Sequence, residues 1–156
     1  MRDTGDNQSL NGDVTQILAL RAAFNGTGWD RVYNNQEAIS VVSAARTASG
    51  NSADFTNPNA RGGVFVMDMT AFSGTTPTVQ MIVDGKDPAS GGYYPILTSA
   101  VIAGAVAKTI FRVYPLLVAV ANLTVQDLLP RTWRLRWVIA GTTPSLTFSV
   151  GSVLIP

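Results

Sequence analysis

Between Arg131 and Val150 the chain alternates apolar and polar side chains with a period of two, and this pattern narrows its fold more than any other feature. Trp133, Leu135, Trp137 and Ile139 alternate with Thr132, Arg134 and Arg136, and Leu146, Phe148 and Val150 alternate with Ser145, Thr147 and Ser149. Successive side chains of a strand point to opposite faces, so each run reads as a strand with one face in a core. Gly141 to Pro144 between them predicts a hairpin loop. The same signal recurs upstream. Val79, Met81 and Val83 oppose Thr78, Gln80 and Asp84, while Phe65, Met67, Met69 and Ala71 share a face in Val64 to Ala71. Thr109, Phe111 and Val113 oppose Lys108 and Arg112 in Ala107 to Tyr114, and Ala38 to Thr47 and Ile96 to Ala103 are further strands.

Turn-rich stretches separate these runs: Asn25 to Gly28, Ser49 to Gly63, and Asp84 to Tyr94. Trp29 to Tyr33 resumes as a strand, whereas Val14 to Phe24 and Leu116 to Leu123 fit helix or strand equally. No internal repeat is evident, and no strong helix alternates with the strands, which argues against a parallel α/β sheet. About eight short strands predict an all-β fold, an antiparallel β-sandwich or jelly-roll. Residues 1–13 are polar, acidic and without periodicity, so the expected organisation is a flexible N-terminal arm over 1–24 and one β-sandwich domain over 25–156.

Composition removes most chemistry. The chain has no cysteine and no histidine, which excludes disulfides, thiolate and imidazole metal sites, and Ser-His or Cys-His nucleophiles. Glu37 is the lone glutamate, and the aspartates fall mostly in the N-terminal segment or in turns, where Asp bonds local backbone. The chain is therefore not expected to be an enzyme, and no cofactor or metal is expected. Asp84-Gly85-Lys86-Asp87-Pro88 lacks the spacing and closing glutamate of a calcium loop and reads as a hairpin turn. Gly26-Thr27-Gly28 lacks the Lys-Ser/Thr of a phosphate loop.

Lys+Arg 11 against Asp+Glu 10 gives no general attraction to nucleic acid or to an anionic membrane. In the basic run Arg131 to Trp137 the tryptophans fall opposite Arg134 and Arg136, so no aromatic–cation strip forms on one face. Arg134 and Arg136 instead suit bidentate capture of a partner's carboxylate. Trp29, Tyr33, Tyr93 and Tyr94 lie near turns, where sugars could stack, and Tyr93 and Tyr94 are the candidates for that role. The polar start has no signal-peptide core, and the longest apolar run, Ala100 to Ala107, is eight residues, so a soluble protein is expected. Absent cysteine fits a reducing compartment, or a particle assembled in one and later released. Charged residues are 13% of the chain, about half the usual ~25%, which suits a protein with neighbours on several sides.

Several phrases taken together carry a family resemblance. They are Asn25-Gly-Thr-Gly-Trp-Asp-Arg31, Asn34-Asn-Gln-Glu37, Ser43-Ala-Ala-Arg-Thr47, Asn51-Ser-Ala-Asp54 with Asn57 to Arg61, and Gly85-Lys-Asp-Pro88. Arg112-Val-Tyr-Pro115, Leu129-Pro-Arg-Thr-Trp-Arg134 and Ser149-Val-Gly-Ser152 continue the series. In this order they resemble small structural proteins of tailed-bacteriophage virions, over about Asn25 to the C-terminus. The resemblance implies a compact β-sandwich or jelly-roll with an extended arm. It also implies a capsid decoration (cement) protein, located on the capsid surface, that binds and stabilises neighbouring major capsid subunits. Self-association as a dimer or trimer belongs to that expectation. The alternative is a receptor- or carbohydrate-binding module of the tail or baseplate.

Overall fold

A computed structural model describes residues 22–24, 29–31 and 36–156, with only backbone described in the first two segments. The chain divides into Met1–Asn34 and Asn35–Pro156. In the first, β1 (Ala22–Phe24) and β2 (Trp29–Arg31) form an antiparallel pair with Phe24 opposite Trp29. The rest of the segment expected to be an arm, and the side chains of Trp29 and Tyr33, lie outside the described residues.

Asn35–Pro156 is all-β, with no helix among the described residues. Its strands are β3 (Gln36–Arg46), β4 (Gly50–Asn51), β5 (Phe55–Thr56), β6 (Gly62–Lys86), β7 (Tyr93–Thr98), β8 (Ile102–Ala103), β9 (Ala107–Val113), β10 (Thr124–Val125) and β11 (Thr132–Ile155). They form one mixed sheet with the path β10-β9-β6-β11-β3, to which β4 and β5 add beside β11, and β7 and β8 beside β6. The sheet is not closed. One departure from the antiparallel expectation is β10, which pairs parallel to β9.

The larger departure concerns strand length. Segments 64–71 and 77–84 belong to one strand of 25 residues, and 132–140 and 145–150 to another of 24. The hairpin expected at Gly141 to Pro144 does not form. Both halves of β11 pair instead with β6, from Trp133↔Gly85 to Ile155↔Gly62. The cause is a twin motif that inspection of the sequence missed. Gly74-Thr75-Thr76-Pro77 and Gly141-Thr142-Thr143-Pro144 carry the same four residues and lie opposite one another, with Thr142 paired to Thr75. In each copy the glycine (φ +105° and +125°) and the second threonine (φ +47° in both) are left-handed. A Cβ on Gly74 would sit 2.5 Å from the Thr143 carbonyl oxygen, so only glycine fits. Such residues ordinarily end a strand at a turn, but two of them side by side bend both strands together.

The bend determines where the core lies. Phe65 and Gly85 are twenty positions apart along β6, a span of roughly 66 Å in an extended strand at ~3.3 Å per residue. Yet the Phe65 ring lies 5.2 Å from Trp133, the ladder partner of Gly85. Likewise Trp137 and Phe148 of β11 bring their rings to 5.9 Å. The β6–β11 ribbon is thus folded over, and its two halves face each other across a shared core. Phe65, Met67, Met69, Phe111, Leu146, Phe148 and Val150 enter from one half, and Val79, Met81, Val83, Trp133 and Leu135 from the other. Every one is essentially inaccessible to water, a burial that stabilises by about 1.5–3 kcal/mol for a side chain of this size.

Candidate functional site

The hairpin between β6 and β7 is closed by the pair Lys86↔Tyr93. Its loop is built by Asp87, which accepts from Ala89 N–H at 2.9 Å and from the Ser90 hydroxyl at 2.5 Å, while Gly91 turns with φ +71°. The Ser90 hydroxyl, and then the Ala89 N–H, hold the Asp87 carboxyl below its usual pKa. Both carboxylate oxygens thus serve the turn, as the hairpin reading of this loop required.

Next to it lies the densest polar cluster among the described residues. Register places Arg134 opposite Asp84 and Arg136 opposite Ile82, so Asp84, Lys86, Arg134 and Arg136 project from the outer face of the same half-sheet. Asp84 is only 1% exposed even though it sits on that outer face. Arg136 grips it in bidentate fashion, Nε to Oδ2 at 2.7 Å and Nη2 to Oδ1 at 3.0 Å, and Arg134 Nε donates to Oδ2 at 3.3 Å. Arg134 lies over the Tyr93 ring, its guanidinium carbon 3.4 Å from the centroid. The Tyr93 hydroxyl donates to Asp54 Oδ1 at 2.7 Å, and Lys86 Nζ donates to Asp54 Oδ2 at 2.8 Å. The chain of contacts therefore runs Arg136, Asp84, Arg134, Tyr93, Asp54, Lys86.

The electrostatics follow from these bonds. Hydrogen bonds from Lys86 and then Tyr93 hold the Asp54 carboxyl below its usual pKa, and the bond to Asp54 raises Lys86. The bond to Asp84 raises Arg136. Both carboxylates are matched by cations. The cluster ties together β6, β7, β11 and the β4–β5 connection.

Three of the four residues singled out in the sequence, Tyr93, Arg134 and Arg136, thus meet in one network. The carboxylate that both arginines hold is Asp84 of their own chain. Tyr94, the fourth, points away from the network and packs over Gly85, where an added Cβ would come within 2.7 Å of its ring. It lines two open recesses of about 450 and 390 Å³ that both border the Asp87–Gly92 loop, and Tyr93 lines the larger one. Asp54 and Asp84 were not foreseen as partners. Asp84 carried a partial signal, since its polar-face position in 77–84 matches that of the arginines in 131–140.

A second exposed feature lies between β9 and β10. The apolar run Leu116 to Leu123, compatible in sequence with helix or strand, is neither: it is a loop of turns. Thr124 organises it, its hydroxyl accepting from Val120 N–H at 2.7 Å and donating to the Val118 carbonyl at 3.0 Å. Gln126 donates to the Pro115 carbonyl at 3.1 Å, and Asn122 turns the chain with φ +64°. This bracing holds Leu116 and Val118 outward, 73% and 86% exposed, with Val120, Leu123 and Leu128 also at the surface. Compared with known protein families and with curated proteins, the chain matches none.

Proposed function

We propose that this chain is a structural part of a tailed-phage virion, a capsid decoration protein that binds neighbouring major capsid subunits and is not an enzyme. The phrases from Asn25 to Ser152 that resemble such proteins support the family reading. We read the folded ribbon as the two-layered sandwich, of jelly-roll type, that the resemblance implies. The observation that carries the role is the braced loop after β9, which holds Leu116 and Val118 in water. Exposed apolar side chains gathered along one short loop suit a contact surface. Burying them contributes roughly 25 cal/mol per Å², and a seam of this kind repeated over a shell adds up.

The test is the copy number on purified particles, by electron cryomicroscopy or quantitative gel analysis. Copies on the order of hundreds support decoration; six or twelve, the numbers of a tail or baseplate ring, refute it. Leu116→Ser with Val118→Ser should release the protein from particles while leaving its melting temperature unchanged.

One observation favours a second reading, a carbohydrate- or receptor-binding module of the tail. Tyr93 and Tyr94 line the larger recess beside the Asp87–Gly92 loop. Glycan binding by the purified protein, lost in Tyr94→Ala, would support that reading.

A further inference from the structure

Among the described residues, the outer face of the other half-sheet has no ionic lock across its middle. Register aligns two rows across its four strands. Ile110 of β9 lies beside Val66 of β6, Gly151 of β11 and Ile39 of β3, and the next row is Arg112, Val64, Val153 and Glu37. The first row is apolar throughout. The second is apolar at its centre, with a cation at the β9 end and the chain's lone glutamate at the β3 end. Ile39 is 74% exposed, the bearing of a core residue without a core. At Gly151 the row is notched: the nearest atom to an added Cβ is 3.9 Å away, and a hollow of about 370 Å³ opens there between Ile39, Val66 and Val153. Neither Glu37 nor Arg112 has an ion-pair partner among the described residues, whereas Lys108 and Asp68 in the adjoining row pair with each other.

We propose that this face docks a second copy of the same chain, face to face about a two-fold axis running along the strands between β6 and β11. Such an axis carries β9 onto β3 and β6 onto β11. Arg112 of each copy then meets Glu37 of the other, Ile110 meets Ile39, and Val66 enters the notch at Gly151. Charge, apolar character and shape are complementary under a single operation, the condition for an isologous interface. Stacked sheets cross at about 30°, which leaves the central Val66–Gly151 and Val64–Val153 contacts best aligned. Four strands about 4.8 Å apart, over some five residues each, give a footprint on the order of 300 Å² per copy. That is below the ~800 Å² per partner of a standard interface, so the dimer forms and dissociates with concentration rather than being permanent.

The inference extends the reading of this chain as an assembly part, but its test needs no particle, so the two fail separately. Sedimentation velocity of the full chain from about 1 to 500 µM should show a monomer–dimer equilibrium. Glu37→Arg and Arg112→Glu should each weaken it about tenfold or more, since each sets like charges together twice. An equimolar mixture of the two variants, and the double variant, should recover it, which simple misfolding would not. Gly151→Gln should abolish the dimer by filling the notch with the melting transition retained. A monomer at every concentration would overturn the proposal. So would a trimer, or a dimer indifferent to these substitutions.

Discussion

Asp84 is the natural place to test how the half-sheet is held together, because removing its charge leaves two arginines facing each other. Asp84→Asn keeps the shape and one acceptor but weakens three charge-assisted hydrogen bonds, two from Arg136 and one from Arg134. Each such bond contributes about 1.5–3 kcal/mol, and breaking one side of a buried pair costs about 3–5 kcal/mol. The arginines are not fully buried, with side chains 17% and 34% exposed, so water recovers part of the loss. Arg134 also keeps its stack on Tyr93. The expected net cost is about 2–4 kcal/mol, or a fall in Tm of about 5–12 °C for a chain of this length. Urea unfolding followed by tryptophan fluorescence should show a lower midpoint with an unchanged slope. A cycle with Arg136→Met should return a coupling of about 1.5–3 kcal/mol, because the double variant no longer strands the bidentate arginine. A fall in Tm below about 2 °C, or strictly additive effects, would refute the claim that this ion cluster locks the strands.

Three further outcomes follow from local geometry. Gly62→Ala would place a Cβ 2.1 Å from the Val113 carbonyl oxygen and should cost about 3 kcal/mol, whereas Gly151→Ala should stay within about 0.5 kcal/mol; thermal melts compare them directly. Thr143→Gly should raise stability by about 0.5–1 kcal/mol, since a β-branched residue at φ +47° carries strain that glycine lacks, and an unchanged or lower Tm would count against it. Asp54→Asn should lower Tm at pH 5–7 and matter progressively less as the pH falls below about 4. A carboxyl held below its unfolded pKa of about 3.9 contributes stability above that value and loses it as pH falls through the folded one. A gap between the two melting curves that does not shrink as the pH falls would contradict this assignment.

Period two in the sequence located the strands' inward faces well. Trp133, Leu135, Leu146, Phe148 and Val150 are all buried where alternation placed them, and Arg134 and Arg136 emerge opposite. What alternation does not carry is the identity of the partner strand. Gly141-Thr142-Thr143-Pro144 has the chemistry of a hairpin turn, and a local reading makes it one. Only the second copy of the motif, paired across the ladder, turns it into a bend. The ion cluster was half legible for the same reason. The arginines and tyrosine stand out by type, while Asp84 becomes their partner through a register that joins positions fifty residues apart. Asp54 reaches the cluster from a connection between two two-residue strands, which no periodicity marks.

Arg46 shows how the exposed edge of the same sheet is handled, and bears on where a second copy docks. Among the described residues β3 pairs with β11 on one side only, and its register slips near Val150. Arg46 fills the irregularity, donating to the carbonyls of Val42, Ala44 and Phe148 at 2.7–2.9 Å while its guanidinium carbon lies 4.3 Å from the Phe148 ring centroid. Bulges and a charge on an edge strand hinder edge-to-edge pairing. Strand addition at β3 is thereby disfavoured, and Ile39 on the same strand is left to be buried from above, through the face. The folded ribbon thus has two unlike outsides: one closed by Asp84 and its arginines, the other ending in an arginine and a glutamate that have no ion-pair partner among the described residues.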